Sequence, residues 1–399
     1  VSSSHIPTSL ALQVHVTSLR VTYSNQSCHT TAARSTLSFL PNRRRPTMPI
    51  PIAGGWTREA GIRIEGTRDL DASKTQAPGV IARPGGGFRL FYTGVGPGRP
   101  YPECQGYILS AVSDDGLEFS VEPGIRLAPD PAVEYMSLRL LAPSIVQLAD
   151  GRWRMYVEAR GTSQQPPVIT SAISDDQLQW RHEPGVRLST SGGLGGPRLT
   201  QLPGGRYRLL ACADDYGPVG RSGGLRNGKH IISALSDDGL EFVTEPGQRI
   251  RSGQAPWDAM GITAGQLLGP AGESTTDTGW TMIFSAWQDA PPGSVIPRHP
   301  SDPTGTDTPP DELDFAAASI ASDIAGFRSR IFQATSRDGL SFGPSECIVA
   351  GGGYDSDDID AVHAEDMSVI SLGDGRQRMY YAACDTTGRW RIASAVTSP

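Results

Sequence analysis

A short apolar segment occurs five times along the chain, each time after a turn that contains glycine. The segments are rich in the aromatic and aliphatic residues that the interior of a β-sheet requires. They cover residues 88–92, 153–157, 207–211, 280–284 and 377–381. One unit repeated at this spacing predicts a propeller, in which each blade buries its faces against its neighbours.

The residues around these segments repeat as well. Four copies are followed by a turn such as Ser113-Asp114-Asp115-Gly116. Aspartate accepts hydrogen bonds from backbone amides and glycine supplies a positive φ, so this pattern predicts a tight strand reversal. An aromatic residue then follows, which we expect to pack between blades. Three copies continue with Glu-Pro-Gly, which suits an outer edge strand.

An innermost strand precedes each copy, so the chain is predicted to be an all-β, five-bladed β-propeller with four antiparallel strands per blade. The fifth copy lacks the turn and the outer strand. Residues 59–64, Glu-Ala-Gly-Ile-Arg-Ile, match residues 122–127, Glu-Pro-Gly-Ile-Arg-Leu, in the first blade. We therefore expect an N-terminal strand to complete the last blade and to remove an exposed sheet edge.

Two regions lack the blade pattern. Residues 1–47 contain no Asp or Glu and many Ser and Thr, which predicts a disordered extension or, alternatively, a transit peptide. A cytoplasmic protein is expected in the first case and an organelle-targeted one in the second. The propeller domain then covers residues 48–399. An insertion in blade four, at about residues 269–329, emerges on the face of the central funnel, where it could act as a lid.

The composition of the chain limits the classes of partner that it can bind. The formal net charge is −7 and charged residues make up 19% of the chain, which argues against nucleic acid and anionic membranes. No apolar stretch is long enough for a transmembrane helix. The five cysteines are scattered, and Cys212 and Cys384 are expected to be buried free thiols. We expect no metal site and no cofactor, with a structural ion in the central channel as the alternative.

The layout resembles the five-bladed propeller glycosidases, the superfamily that includes glycoside hydrolase families 32, 43, 62, 68, 117 and 130. The resemblance covers residues 56–399. It rests on the Ser-x-Asp-Gly-x-x-Phe turns, on Ala-Pro-Ser-Ile followed by Asp-Gly-Arg-Trp-Arg-Met-Tyr, and on the N-terminal closure. It implies three carboxylates at the funnel mouth, where the innermost strands of the first three blades begin. This chain departs from that pattern, with Ala77, Ala142 and Gly195 at those positions.

Other carboxylates are predicted to reach the same face of the propeller. The candidate catalytic residues are Asp366, Asp258, Glu158 and Asp71. Asp366 and Asp258 are favoured because they stand at the starts of innermost strands, which converge on the funnel. The alternative for Glu158 is an ion pair with an arginine, and the alternative for Asp71 is a solvated loop position.

Candidate substrate-binding residues stand near the same strand ends. They are Arg139, Arg198, Trp257, Trp287, His363 and Asp215. Arginine can bind an anionic or hydroxyl-rich ligand, and tryptophan can stack on a sugar. The alternatives are pairing with the acids for the arginines, packing between blades for the tryptophans, a hydrogen-bonded core position for the histidine and a turn cap for the aspartate.

These features predict a glycosidase that acts on a carbohydrate or another small polar substrate through carboxylate acid and base chemistry. The first alternative is a non-catalytic propeller that binds a glycan or a protein and has lost the standard acids. The second is a propeller hydrolase that acts on a substrate other than a sugar.

Overall fold

The computed structural model describes residues 55–96, 105–161, 165–213, 230–252, 261–269, 279–289, 327–352 and 356–398. The chain divides into two units, Val1–Pro46 and Thr47–Pro399, and all described residues belong to the second. The predicted leader, most of the predicted insertion and the candidates Asp215, Trp257 and Asp258 lie outside the described residues.

The described residues form many strands and almost no helix, which confirms the all-β class. Helix is limited there to one 3-10 turn, Glu134–Met136. The strands are β1 Trp56–Arg58, β2 Lys74–Ala82, β3 Phe88–Val95, β4 Gly106–Ser113, β5 Ser120–Val121, β6 Arg139–Gln147, β7 Trp153–Arg160, β8 Val168–Ser174, β9 Arg181–Leu188, β10 Leu194–Gln201, β11 Tyr207–Ala213, β12 His230–Ser236, β13 Val243–Thr244, β14 Ile250–Arg251, β15 Gly261–Leu268, β16 Trp280–Asp289, β17 Phe327–Ser336, β18 Glu346–Val349, β19 His363–Ser371, β20 Gln377–Cys384 and β21 Trp390–Thr397.

Within the described ranges, antiparallel pairing joins these strands into five groups. Group one is β2–β5, group two is β6–β9, group three is β10–β14, group four is β15–β18, and group five is β19–β21 together with β1. The first strand of each group packs against the first strands of two other groups, in the closed order β2, β6, β10, β15, β19 and back to β2. The starts of these five strands therefore lie near one another.

The N-terminal strand completes group five, as the sequence predicts. β1 pairs antiparallel with β21, with Trp56 opposite Thr397. Further along, Ile64 forms an antiparallel bridge with Ile392. The match between residues 59–64 and 122–127 therefore reflects the same position at the outer edge of two groups.

A buried polar triad recurs in four groups. An arginine on the second strand pairs with a glutamate on the outer segment, and a serine on the third strand donates to the same glutamate. The triads are Arg89–Glu122–Ser110, Arg154–Glu183–Ser171, Arg208–Glu245–Ser233 and Arg378–Glu59–Ser394. Each of these arginines also donates to the turn of the next group, and Arg378 of group five donates to Asp115 O of group one at 2.8 Å. The triads therefore link the groups as well as stabilising each one.

Apolar side chains fill the spaces between groups. Phe119 of group one meets Tyr380 of group five edge to face, with ring centroids 5.6 Å apart. Trp180 meets Phe91 in the same way at 5.8 Å. The aromatic residues after the turns therefore pack between groups, as predicted.

Two further predictions from the sequence concern the cysteines and membrane-spanning helices. Cys212 and Cys384 are buried thiols, as predicted. None of the described helical segments is long and apolar enough to cross a membrane.

Candidate functional site

The first strand of every group contains a bulge at which one residue adopts a left-handed backbone conformation. These residues are Ala77 (φ 50°), Ala142 (φ 54°), Gly196 (φ 55°), Ala264 (φ 39°) and Asp366 (φ 53°). The pairing register with the second strand shifts at the same points. A left-handed residue other than glycine costs about 1–2 kcal/mol. Such strain tends to be kept at functional sites, where surrounding structure fixes it.

Arg198 binds the backbone that follows these bulges. Its Nη2 donates to Pro78 O at 2.9 Å and to Met367 O at 3.1 Å. Its Nη1 donates to Pro197 O at 3.1 Å and to Pro143 O at 3.4 Å. One guanidinium therefore bonds to carbonyl groups from four of the five groups.

The Arg198 side chain is almost completely buried, with 3% of its surface exposed. Burial lowers its pKa to about 10, and the nearby charge of Asp366 acts in the opposite direction. Arg198 therefore remains a cation at neutral pH and supplies a positive charge among these carbonyls. Arg198 is predicted from sequence to bind substrate, but its side-chain N–H groups donate to backbone carbonyls instead.

A cavity opens at the starts of the first strands. Its charged lining comprises Glu158, Arg160, Glu365 and Asp366, and Trp287 contributes an aromatic wall. The bulge residues Ala77, Ala142, Gly196 and Ala264 complete much of the remaining surface. Small side chains at four bulges leave room in the cavity, while the fifth bulge presents a carboxylate.

Asp366 is the acid most strongly altered by this environment. Its backbone N–H donates to Ser285 Oγ at 2.9 Å, which holds the bulge against group four. Burial, followed by the negative charge of Glu365, raises the pKa of the Asp366 carboxyl to about 7, although Arg198 and Lys74 act to lower it. A carboxyl with such a pKa is partly protonated at neutral pH and can donate a proton.

Glu365 is a site residue that the sequence analysis did not select. It is 3% exposed, and its Oε2 accepts a hydrogen bond from Trp287 Nε1 at 2.8 Å. In a regular strand, consecutive side chains point to opposite faces. The bulge breaks this alternation, so that Glu365 and Asp366 both line the cavity. The one available signal was the position of Glu365 directly before the favoured Asp366.

Glu158 reaches across to group three. Its Oε1 accepts from Arg160 Nε at 2.5 Å, and its Oε2 accepts from the backbone N–H of Gly196 at 3.0 Å. A Cβ atom on Gly195 would lie only 2.6 Å from Glu158 Oε2. The Glu158 carboxylate therefore occupies the space beside Gly195, the position where the resemblance implies an acid.

Asp71 lies outside this cavity, contrary to the expectation from sequence. The residue is only 2% exposed, so the alternative of a solvated loop acid is also wrong. Its carboxylate accepts from Arg68 Nη2 at 2.9 Å and from the Tyr92 hydroxyl at 2.9 Å. These bonds occupy the acid in fixing the chain that leads into β2.

Arg139 and His363 are core residues in this structure rather than cavity residues. Arg139 is almost fully buried and stands opposite Arg160 in the β6–β7 register. The His363 ring stacks on Trp390 at a centroid distance of 5.2 Å, and its Nδ1 lies 3.1 Å from Ser329 Oγ. Burial, with the positive charges of the nearby Lys74 and Arg330, lowers the pKa of His363 well below its ordinary value.

The structure thus brings together three of the residues selected from sequence: Asp366, Glu158 and Trp287. Asp258, Asp215 and Trp257 stay predictions. Within the described ranges, no three or more His, Cys, Asp or Glu side chains are placed to hold a metal ion together.

Comparisons with known proteins identify the fold. No protein-family model matches the chain, and no curated protein matches it. A glycosyl hydrolase from Bacteroides ovatus is similar in structure, with a TM-score of 0.59, 12% identity and coverage of 87% of this chain and 94% of that chain. So is a structure from the GH130 family of mannoside phosphorylases, which contains glycoside hydrolases that target beta-1,2 mannosidic linkages in Candida mannan. Its TM-score is 0.57, with 14% identity and coverage of 89% and 97%.

An endo-arabinase from Bacteroides thetaiotaomicron is also similar, with a TM-score of 0.51, 13% identity and coverage of 86% and 98%. At these levels of identity the likeness concerns the fold and not the reaction. The chain therefore shares the fold of glycoside hydrolase structures, and the resemblance that its repeats predict is confirmed at the level of the fold.

Proposed function

We propose that the five groups are the blades of a five-bladed β-propeller and that the protein is a glycosidase acting in the cavity around Asp366. The closed order of contacts between first strands supports the propeller. The fold shared with glycoside hydrolase structures supports a glycoside as substrate. Because one fold hosts many functions, the reaction has to be inferred from the residues of the site.

The observation that carries the proposal is the Asp366 carboxyl, which lines the cavity with a pKa raised to about 7. Cleavage of a glycosidic bond needs a carboxylic acid that protonates the leaving oxygen. Asp366 is the proposed general acid, because burial keeps part of its population protonated at neutral pH. The charge of Glu365 is the second cause of the raised pKa, so Glu365 tunes the acid.

A second carboxylate must stay ionised to activate water or to attack the sugar. We assign this role to Glu158, because Arg160 and the Gly196 N–H both donate to it. These two bonds hold the Glu158 carboxylate in a fixed orientation at the cavity. Glu158 reaches the cavity beside Gly195, so it takes the place of the acid that the third blade lacks.

Hydrolysis of a panel of aryl-glycosides tests the proposal. Asp366→Asn is expected to lower kcat by a factor of about 10²–10⁴, the usual contribution of a general acid. Glu158→Gln is expected to lower it as well. Asp374→Asn is the matched control, since Asp374 lies in an exposed turn and pairs with Arg376. Full activity of Asp366→Asn would reject the assignment of the acid.

The pH profile gives a second test. The proposed acid must be protonated, so kcat is expected to fall as the pH rises through about 7. A wild-type profile that is flat from pH 5 to pH 9 would contradict the role of Asp366.

A non-catalytic, glycan-binding propeller is the second candidate function. It is favoured by Ala77, Ala142 and Gly195, which stand where the resemblance implies acids. In that case glycans bind in the cavity that Asp366 lines, without being cleaved. Product analysis of bound glycans by mass spectrometry separates the two functions.

A further inference from the structure

Group four lacks the polar triad that joins the other groups to their successors. Thr281 stands where they carry the arginine: it pairs with Thr335 in the register that places Arg89 opposite Val112. Gln333 stands where they carry the serine, opposite Ile283 as Ser110 is opposite Phe91.

An acid stands at the triad position of group four, but it differs from the glutamates of the other groups. Glu346 lies opposite Gln333 in the register but is exposed. In the four complete groups, the corresponding glutamate is bonded to both arginine and serine. Among the groups that the structure describes, group four is therefore the one without a bonded arginine–glutamate–serine triad.

At the other junctions the arginine fills the space against the turn of the next group. A Cβ atom on Gly239 of group three would lie 2.8 Å from Arg154 Nη1 and 2.7 Å from the Tyr156 hydroxyl of group two. On the group-five side the cleft is bordered by Thr397 and Ser398, and no described arginine of group four lines it. An open cleft of about 400 Å³ remains between groups four and five.

This seam cleft is lined by Trp56, Leu268, Thr281, Ile283, Gln333 and Gln377, together with the main chain and small residues around them. Trp56 and Leu268 pack on the buried apolar cluster that includes Ile283, so the base of the cleft consists of well-packed side chains. The cleft is separate from the Asp366 cavity: Thr281 lies near the start of β16, whereas Trp287 of the cavity lies near its end.

The side chains of the cleft point to one class of ligand. The described residues that line it are uncharged and offer hydrogen-bonding groups beside an apolar surface. The carboxamides of Gln333 and Gln377 and the Thr281 hydroxyl each donate and accept hydrogen bonds. An indole beside such groups offers an apolar surface for the C–H face of a sugar ring.

We propose that the seam cleft is a second carbohydrate site, one that binds a neutral oligosaccharide without cleaving it. A volume of about 400 Å³ falls within the range of small-molecule sites. Two carboxamides and a hydroxyl match the paired hydroxyl groups of a neutral sugar. This inference does not depend on the reaction proposed for the Asp366 cavity.

The experiment screens the full chain on an array of neutral glycans and measures the best binder by titration calorimetry. Thr281→Arg restores the arginine of the other groups and fills the cleft, so it is expected to weaken binding by at least about tenfold. Thr281→Ser keeps the hydroxyl and removes only a methyl group, so affinity is expected to stay within about twofold. Gln333→Ala is expected to weaken binding by about tenfold, because a hydrogen bond to the sugar is lost.

A thermal melt of each variant establishes that it is folded. Asp366→Asn distinguishes the two carbohydrate sites, because it is expected to leave binding in the seam cleft unchanged. The proposal is overturned if no neutral glycan binds, or if binding survives Thr281→Arg and Gln333→Ala. It is also overturned if Asp366→Asn abolishes the binding, which would place the ligand in the other cavity.

Discussion

Replacement of Asp366 by asparagine is expected to stabilise the protein at alkaline pH. Asparagine has nearly the same size as aspartate and tolerates the left-handed conformation that the bulge imposes, with φ at 53°. The substitution therefore removes a titratable charge and leaves the backbone in place. The difference in stability between the two proteins at alkaline pH is then the free energy of holding an ionised carboxylate in this cavity.

The size and sign of that free energy follow from the pKa. Burial, and then the charge of Glu365, raises the pKa of Asp366 from 3.8 to about 7. Between these values the folded protein keeps a proton that the unfolded chain has released. The stability that this proton confers is complete below pH 3.8 and is lost as the pH rises through about 7. The whole loss amounts to at most about 4 kcal/mol.

The asparagine variant has no proton to lose, so its stability should exceed that of the wild type increasingly as the pH rises. Between pH 5 and pH 8 the difference in the free energy of unfolding is expected to grow by about 2–3 kcal/mol. Urea unfolding at the two pH values, followed by tryptophan fluorescence, measures this difference by linear extrapolation.

Asp374→Asn is the control for this measurement. Asp374 is exposed, and its hydrogen bonds with Arg376 lower its pKa, so its replacement should bring no gain at pH 8. If Asp366→Asn gains no more at pH 8 than at pH 5, Asp366 ionises as an ordinary aspartate. The proposed general acid would then have no physical basis.

Three further substitutions test other parts of the structure. Glu59→Ala leaves Arg378 buried without its partner and is expected to destabilise the protein by about 3 kcal/mol, measured by urea unfolding. Gly195→Ala places a Cβ atom 2.6 Å from a carboxylate oxygen of the cavity, so it should lower kcat on any aryl-glycoside that is cleaved and cost about 1–3 kcal/mol of stability. Arg198→Met leaves carbonyl groups from four strand groups without a donor and is expected to cost at least about 3 kcal/mol. It should also raise the pKa of Asp366, seen as a shift of the pH profile to higher pH.

Each of these three substitutions has a control variant or an outcome that would contradict it. Arg376→Ala breaks an exposed pair and should cost far less than Glu59→Ala. Equal losses would mean that the Glu59–Arg378 pair stabilises the protein no more than an exposed pair does. A Cβ atom on Gly343 meets only one oxygen, at 3.7 Å, so Gly343→Ala should have full activity. A pH profile that stays in place in Arg198→Met would show that this charge does not act on the acid.

The sequence predicts the strands and their order because each is specified by neighbouring residues. Glu59 illustrates this: its segment carries the same residues as 122–127, and the two segments occupy equivalent edges. The burial of Cys212 and Cys384 follows for the same reason, since a position inside an apolar strand is read locally.

The cavity is less predictable, because its geometry depends on bulges and on distant partners. Glu365 was missed since the bulge changes the face to which it points. The sequence predicts a ligand-binding role for Arg198, but Arg198 bonds to the carbonyl groups of Pro78 and Met367, which lie far away in the sequence. Asp71 lies before a first strand, as a funnel acid would, yet Arg68 only three residues away captures its carboxylate.

One structural device accounts for both the position and the chemistry of Asp366. The same bulge occurs in five strands, and at four of them alanine or glycine gives the cavity its space. Only the fifth places an acid there, and a left-handed backbone beside Glu365 buries that acid next to a like charge. The strain of the bulge therefore positions a carboxyl group in surroundings that oppose its ionisation. Because Glu158 crosses from group two into the space beside Gly195, it meets the Asp366 carboxyl in one cavity, although neither residue stands where the resemblance implies an acid.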